Sequence, residues 1–102
     1  MLFKEAGASA YRGFGLYDQG KYQEALECFN QALNVRPHHE RALFYRGLIY
    51  FAQENFQAAL KDFDRILTID PYHQDAPTWK AKTEEYLNSG KTQQVTYSNY
   101  SS

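Results

Sequence analysis

"YRGFGLYDQGKYQEALECFNQALNVRPHH" occupies residues 11–39, and "YRGLIYFAQENFQAALKDFDRILTIDPYH" occupies residues 45–73. The second copy starts 45 − 11 = 34 residues after the first. Widening the frame to 6–39 over 40–73 needs no gap. Ala8, Tyr11, Arg12, Gly13, Gln19, Gln23, Ala25, Leu26, Phe29, Leu33, Pro37 and His39 all recur unchanged in the second copy. At 79–81 the chain reads WKA, which is aromatic, basic and small once more and again 34 residues further on. A fixed period of this length marks an array of stacked supersecondary units.

Inside each copy the apolar spacing is helical. Tyr22, Ala25, Leu26, Phe29, Ala32 and Leu33 fall on one face of a helix, and Phe56, Ala59, Leu60, Phe63, Ile66 and Leu67 repeat the pattern. Pro37 and Pro71 end these two helices, because proline lacks an amide proton and disfavours a helical residue before it. An earlier helix precedes each stripe, at about 3–18 and 40–53, with Gly20 and Asn55 punctuating the turns between. Gly13 and Gly47 lie in mid-helix, where glycine costs about 1 kcal/mol against alanine. A cost incurred twice in register implies close approach of the partner helix at both places. Each unit is therefore an antiparallel helix pair, and stacking buries the face that one pair leaves open. A third first-helix is expected from about Asp75 to Ser89, with Pro77 tolerated in its first turn. It closes the stack as a cap, and the polar segment 90–102 reads as a mobile tail.

The pattern resembles the tetratricopeptide repeat family. The resemblance rests on Gly13 and Gly47, Tyr22 and Phe56, Ala25 and Ala59, Phe29 and Phe63, and Pro37 and Pro71, at the family's spacings in a 34-residue unit. It covers 6–39 and 40–73 as full repeats and 74–89 as a capping helix, so that 1–89 forms one domain. It implies an all-α fold of about five helices, antiparallel helix-turn-helix units stacked as a short right-handed α-solenoid. It also implies a protein–protein interaction module that takes a peptide or helical segment in a concave groove lined by the first helix of each pair. Carried onto this chain, the partner-binding positions are Phe14, Tyr17, Arg41, Phe44, Leu48, Phe51, Lys82 and Tyr86. One subclass grips a chaperone's terminal carboxylate with Lys, Asn and Arg. The corresponding residues here are Ala10, Phe14, Tyr45, Asp75 and Trp79, so the resemblance does not extend to that clamp. The second reading of the same surface is a self-assembling scaffold unit, a homo-oligomer in which a further copy covers the exposed rings.

Other residues receive plainer readings. Tyr11, Tyr45 and Trp79 are packing or ridge residues, and Arg12, Arg46 and Lys80 form a ladder of solvated or carboxylate-paired cations. His38, His39 and His73 beside the prolines read as turn residues, since adjacent rings seldom converge on one metal ion. Asp62, Asp64 and Asp70, with Lys61 and Arg65, read as a solvated charge pattern on the outer face of a second helix. Cys28, the single cysteine, has no base beside it in sequence and reads as an inert thiol. No phosphate loop or nucleophile elbow occurs, so neither enzymatic activity nor a cofactor or metal is expected. Net charge is −1, which provides no basic field for nucleic acid. The absence of a long apolar run and the lone cysteine lead us to expect a cytoplasmic protein that does not enter the membrane.

Overall fold

The computed structural model describes the backbone of residues 2–101 and the side chains of residues 7–89. Five helices follow one another: α1 Leu2–Asp18, α2 Tyr22–Val35, α3 Glu40–Ala52, α4 Phe56–Ile69 and α5 Ala76–Ser101. α1 packs on α2, α3 on α4, and α5 closes against α4, while α2 meets α3 across the boundary between units. This is the all-α stack that the repeat implies.

The core runs through both units without interruption. Ala25, Leu26, Phe29 and Leu33 of α2 join Ala42, Leu43 and Ile49 of α3, then Ala59, Phe63 and Ile66 of α4. The two mid-helix glycines have the expected reason. A Cβ on Gly13 would lie 2.5 Å from Cε1 of Phe29, and one on Gly47 would lie 2.7 Å from Cε1 of Phe63. Each hairpin is thus held by a fully buried ring seated against bare backbone.

The turns between paired helices share one geometry. After α1, Lys21 N–H donates to Leu16 O and Gly20 N–H to Tyr17 O, both at 2.9 Å. After α3, Asn55 N–H donates to Tyr50 O at 2.8 Å and Glu54 N–H to Phe51 O at 3.0 Å. This is a Schellman ending, whose penultimate residue adopts the left-handed conformation. Gly20 does so at φ 77° and Glu54 at φ 61°. The second punctuating residue is therefore Glu54 and not Asn55, which stands one place later with φ −89° and no side-chain capping bond. A side chain at positive φ costs about 1 kcal/mol, so Glu54→Gly should raise stability by about that much. A urea midpoint that stays put or falls would contradict this.

The prolines do end α2 and α4, and Pro77 does lie in the first turn of α5. The closing helix runs on to Ser101, past the boundary near Ser89 expected from sequence. No proline follows, and Gly90 alone costs a helix only about 1 kcal/mol. The expectation of a mobile tail at 90–102 falls on residues whose side chains lie outside the described part. Among the described residues, no helix is long and apolar enough to cross a membrane.

Histidines recur as N-terminal caps. His39 Nδ1 accepts from Ala42 N–H at 3.2 Å. His73 Nδ1 accepts from Ala76 N–H at 3.0 Å and from Asp75 N–H at 3.1 Å. Burial, and after it the Arg36 cation, hold the His39 pKa below its ordinary value. The unfolded chain therefore takes up this proton first, and protonation removes the acceptor. The cap's contribution is complete above the unfolded pKa of about 6.5 and is lost as pH falls through that value toward the folded one. Melting temperature should drop between neutral pH and pH 5 by more in the parent than in His39→Asn, whose carboxamide caps without titrating.

Candidate functional site: an aromatic face on the first helices

The aromatic of the triplet is the ring that joins one unit to the next. Tyr45 meets Tyr17 of the preceding unit edge-on at 5.0 Å, and Trp79 meets Phe51 in the same way at 5.2 Å. Tyr45 also lies 6.0 Å from Phe29, as Trp79 lies 6.3 Å from Phe63. Tyr11 stands at the open edge with no described unit before it, and it is 74% exposed. The triplet's basic residue follows the same logic. Arg46 Nη1 donates to Asn30 Oδ1 of the preceding unit at 2.8 Å, and Lys80 Nζ reaches Asp64 Oδ1 at 2.9 Å.

Around these joints the first helices present a band of half-buried rings. Phe14 lies 4.8 Å from Tyr45 and 5.5 Å from Phe29, and the Arg41 guanidinium sits 4.6 Å above its ring. Tyr17 lies 5.4 Å from Tyr22. Its phenol pKa is raised, chiefly by burial and then by Tyr22 and Tyr45. Phe44 reaches Tyr45, Phe63 and His73, and Leu48 packs on the core. Phe51 contacts Phe56, Trp79 and Tyr86, and Tyr86 stacks on Phe56 at 5.3 Å. Lys82 Nζ lies 5.1 Å from the Trp79 ring and 6.0 Å from that of Phe51. Of the eight candidate residues, Arg41, Lys82 and Tyr86 are exposed; Phe14, Tyr17, Phe44, Leu48 and Phe51 are half-buried. Two rings gripped by cations bracket the band, one on α1 and one on α3. Each such contact is worth about 0.5–1 kcal/mol at an exposed site.

Two groupings escaped the sequence reading. The first is the pairing of His73 with Phe44, for which no local signal exists. The second is Asp62, which is not a solvated charge: its side chain is 1% exposed. It accepts from Arg46 Nε at 2.8 Å and Nη2 at 2.7 Å, and from Arg65 Nη1 at 2.9 Å. The Asp62 carboxylate in turn holds the Arg46 pKa above its usual value. The signal was present in the repeat register, where position 62 aligns with Cys28, itself buried. Among the described residues, no three His, Cys, Asp or Glu side chains gather as metal ligands would.

Comparison with known proteins places these features. Of the solved structures, one similar to this chain is the first TPR of Spaghetti (RPAP3) bound to the HSP90 peptide SRMEEVD. It shares 21% identity over 83% of this chain and 94% of that one, with a TM-score of 0.57, a likeness in fold. No curated protein matches the chain. Residues 15–73 match the sequence profile of the tetratricopeptide repeat. With that match across more than half its length, and with glycine–phenylalanine seats and inter-unit rings recurring in step, the chain belongs to the tetratricopeptide repeat family.

Proposed function

We propose that the chain is a peptide-binding module that takes an extended or helical segment with apolar or aromatic anchors on the first-helix face. The family is a non-catalytic protein-interaction fold, and the structural neighbour binds an HSP90 peptide. The observation that carries the reading is the band of half-buried rings from Phe14 to Phe51, bracketed by Arg41 and Lys82. Rings held edge-on by their neighbours lose little entropy on contact and make pockets for apolar anchors. The partner differs in kind from a chaperone tail. At the clamp positions Ala10 is buried, Phe14 and Tyr45 pack together, and Trp79 packs on Phe51.

Selection from a displayed random-peptide library tests the proposal. Enriched peptides should carry apolar or aromatic anchors. Arg41→Ser and Tyr86→Ser each remove an exposed contact without touching the core, and each should weaken binding by at least about tenfold, the equivalent of 1.4 kcal/mol. Full binding by both variants, with helicity intact, would sink the groove.

A second reading draws on Tyr11, an inter-unit ring left 74% exposed. A further copy of the chain stacked on that edge would cover it. Sedimentation across a wide concentration range separates the readings, since a monomer throughout discards self-assembly.

A further inference from the structure

A second surface of the module, away from the first-helix face, carries a recess. α3 sends Arg41, Phe44, Leu48 and Phe51 to that face. At about 100° per residue, Leu43 and Arg46 leave the helix on roughly the opposite side. There they floor a recess of about 550 Å³ between α2 and α4. Leu33, Leu43, Pro37 and Ile69 make its apolar part, while Asn30, Asn34, Arg46 and Arg65 bring polar groups to it.

The charge balance of this recess is uneven. Two guanidiniums, Arg46 and Arg65, share the single carboxylate of Asp62, which leaves 2 − 1 = 1 positive charge on the wall. Asp64 adds no compensation from nearby, because Lys80 holds it at 2.9 Å. Arg65 spends Nη1 on Asp62, and the rest of its donor fork is open, with its side chain 55% exposed. Asn30 accepts from Arg46 through Oδ1, which leaves its N–H₂ as a donor. An excess cation beside low-dielectric walls attracts an anion more strongly than one in open solvent. A planar carboxylate matches the guanidinium fork better than any other anion a polypeptide carries. The apolar floor meanwhile accommodates an aliphatic neighbour.

We propose that this recess binds an acidic peptide segment in which a carboxylate side chain follows an aliphatic one. The carboxylate lies on Arg65 and the Asn30 amide, and the aliphatic group on Pro37 and Ile69, above the buried Leu33 and Leu43. The surface is separate from the aromatic face, so a partner can engage both sides of the module.

The probe is a blocked leucine–glutamate dipeptide titrated into the full chain and followed by NMR of the side-chain N–H groups of Asn30, Asn34 and Arg65. Saturable shifts confined to these groups, with affinity on the order of millimolar as befits so small a ligand, are expected. The isosteric leucine–glutamine dipeptide should bind at least about tenfold more weakly. Arg65→Gln should abolish the shifts at Asn30, and Ile69→Thr, a half-buried change that leaves the Asp62 cluster alone, should weaken them. Three results overturn the proposal: equal binding of the neutral dipeptide, shifts only on the aromatic face, or the same shifts from acetate at equal concentration, which would make the recess a general anion site.

Discussion

Phe63→Ala lowers the unfolding free energy by about 3–5 kcal/mol, and Gly47→Ala then changes from harmful to helpful. Phe63 is fully buried and lies against Phe44 at 6.0 Å and Trp79 at 6.3 Å. Its loss therefore loosens both α3 and the closing helix. A domain of this size holds about 5–15 kcal/mol in total, so the variant is left marginal. In the parent, a Cβ at Gly47 would stand 2.7 Å from the Phe63 ring. Overpacking of that kind costs about 1–3 kcal/mol. Once the ring is gone, only the helix preference for alanine over glycine remains, a gain of about 1 kcal/mol. The measurement is a double-mutant cycle by urea unfolding followed by circular dichroism. A Gly47→Ala effect of the same sign in both backgrounds would mean that ring and glycine are not coupled.

Asp62→Ala is the second large effect, a loss of about 3–5 kcal/mol. The Arg46 side chain is only 15% exposed. Without the carboxylate its guanidinium keeps Asn30 but no counter-charge. The pair itself is less valuable than its breakage suggests, because both ions give up hydration to form it. Replacing Arg46 by methionine and Asp62 by leucine together should return stability to within about 1 kcal/mol of the parent. The first unit supports this, for it places buried Cys28 where the second has Asp62, and its Arg12 stays exposed. An unchanged urea midpoint for Asp62→Ala alone would remove the ion cluster from the account of stability.

The sequence made the repeat legible because identical residues face identical surroundings. Gly13 and Gly47 announced a close approach, and each has one. The triplet rings announced packing, and Tyr45 and Trp79 provide it between units. Legibility failed where two copies use one position differently. Glu54 stands where the first unit has Gly20, so a rule based on residue type pointed to Asn55. Asp62 looked like surface charge because its main partner, Arg46, lies 16 residues away on another helix. The polar composition of 90–102 points to an end near Ser89, whereas the backbone, with no strong breaker there, stays helical to Ser101. The candidate face follows from family register and not from chemistry visible in the chain, which is why the uneven charge of the recess behind α3 gave no warning.

The bonds Arg46–Asn30 and Lys80–Asp64 occupy the same seam one period apart, with both partners offset by 34 residues. The joint is thus modular: whichever cation follows, the preceding unit already holds out an oxygen to receive it. Splicing a duplicate of 40–73 directly after His73 would bring that duplicate's arginine to Asp64, and hand the original lysine a fresh aspartate one period later. The molecule carries within itself the connector by which it can be lengthened.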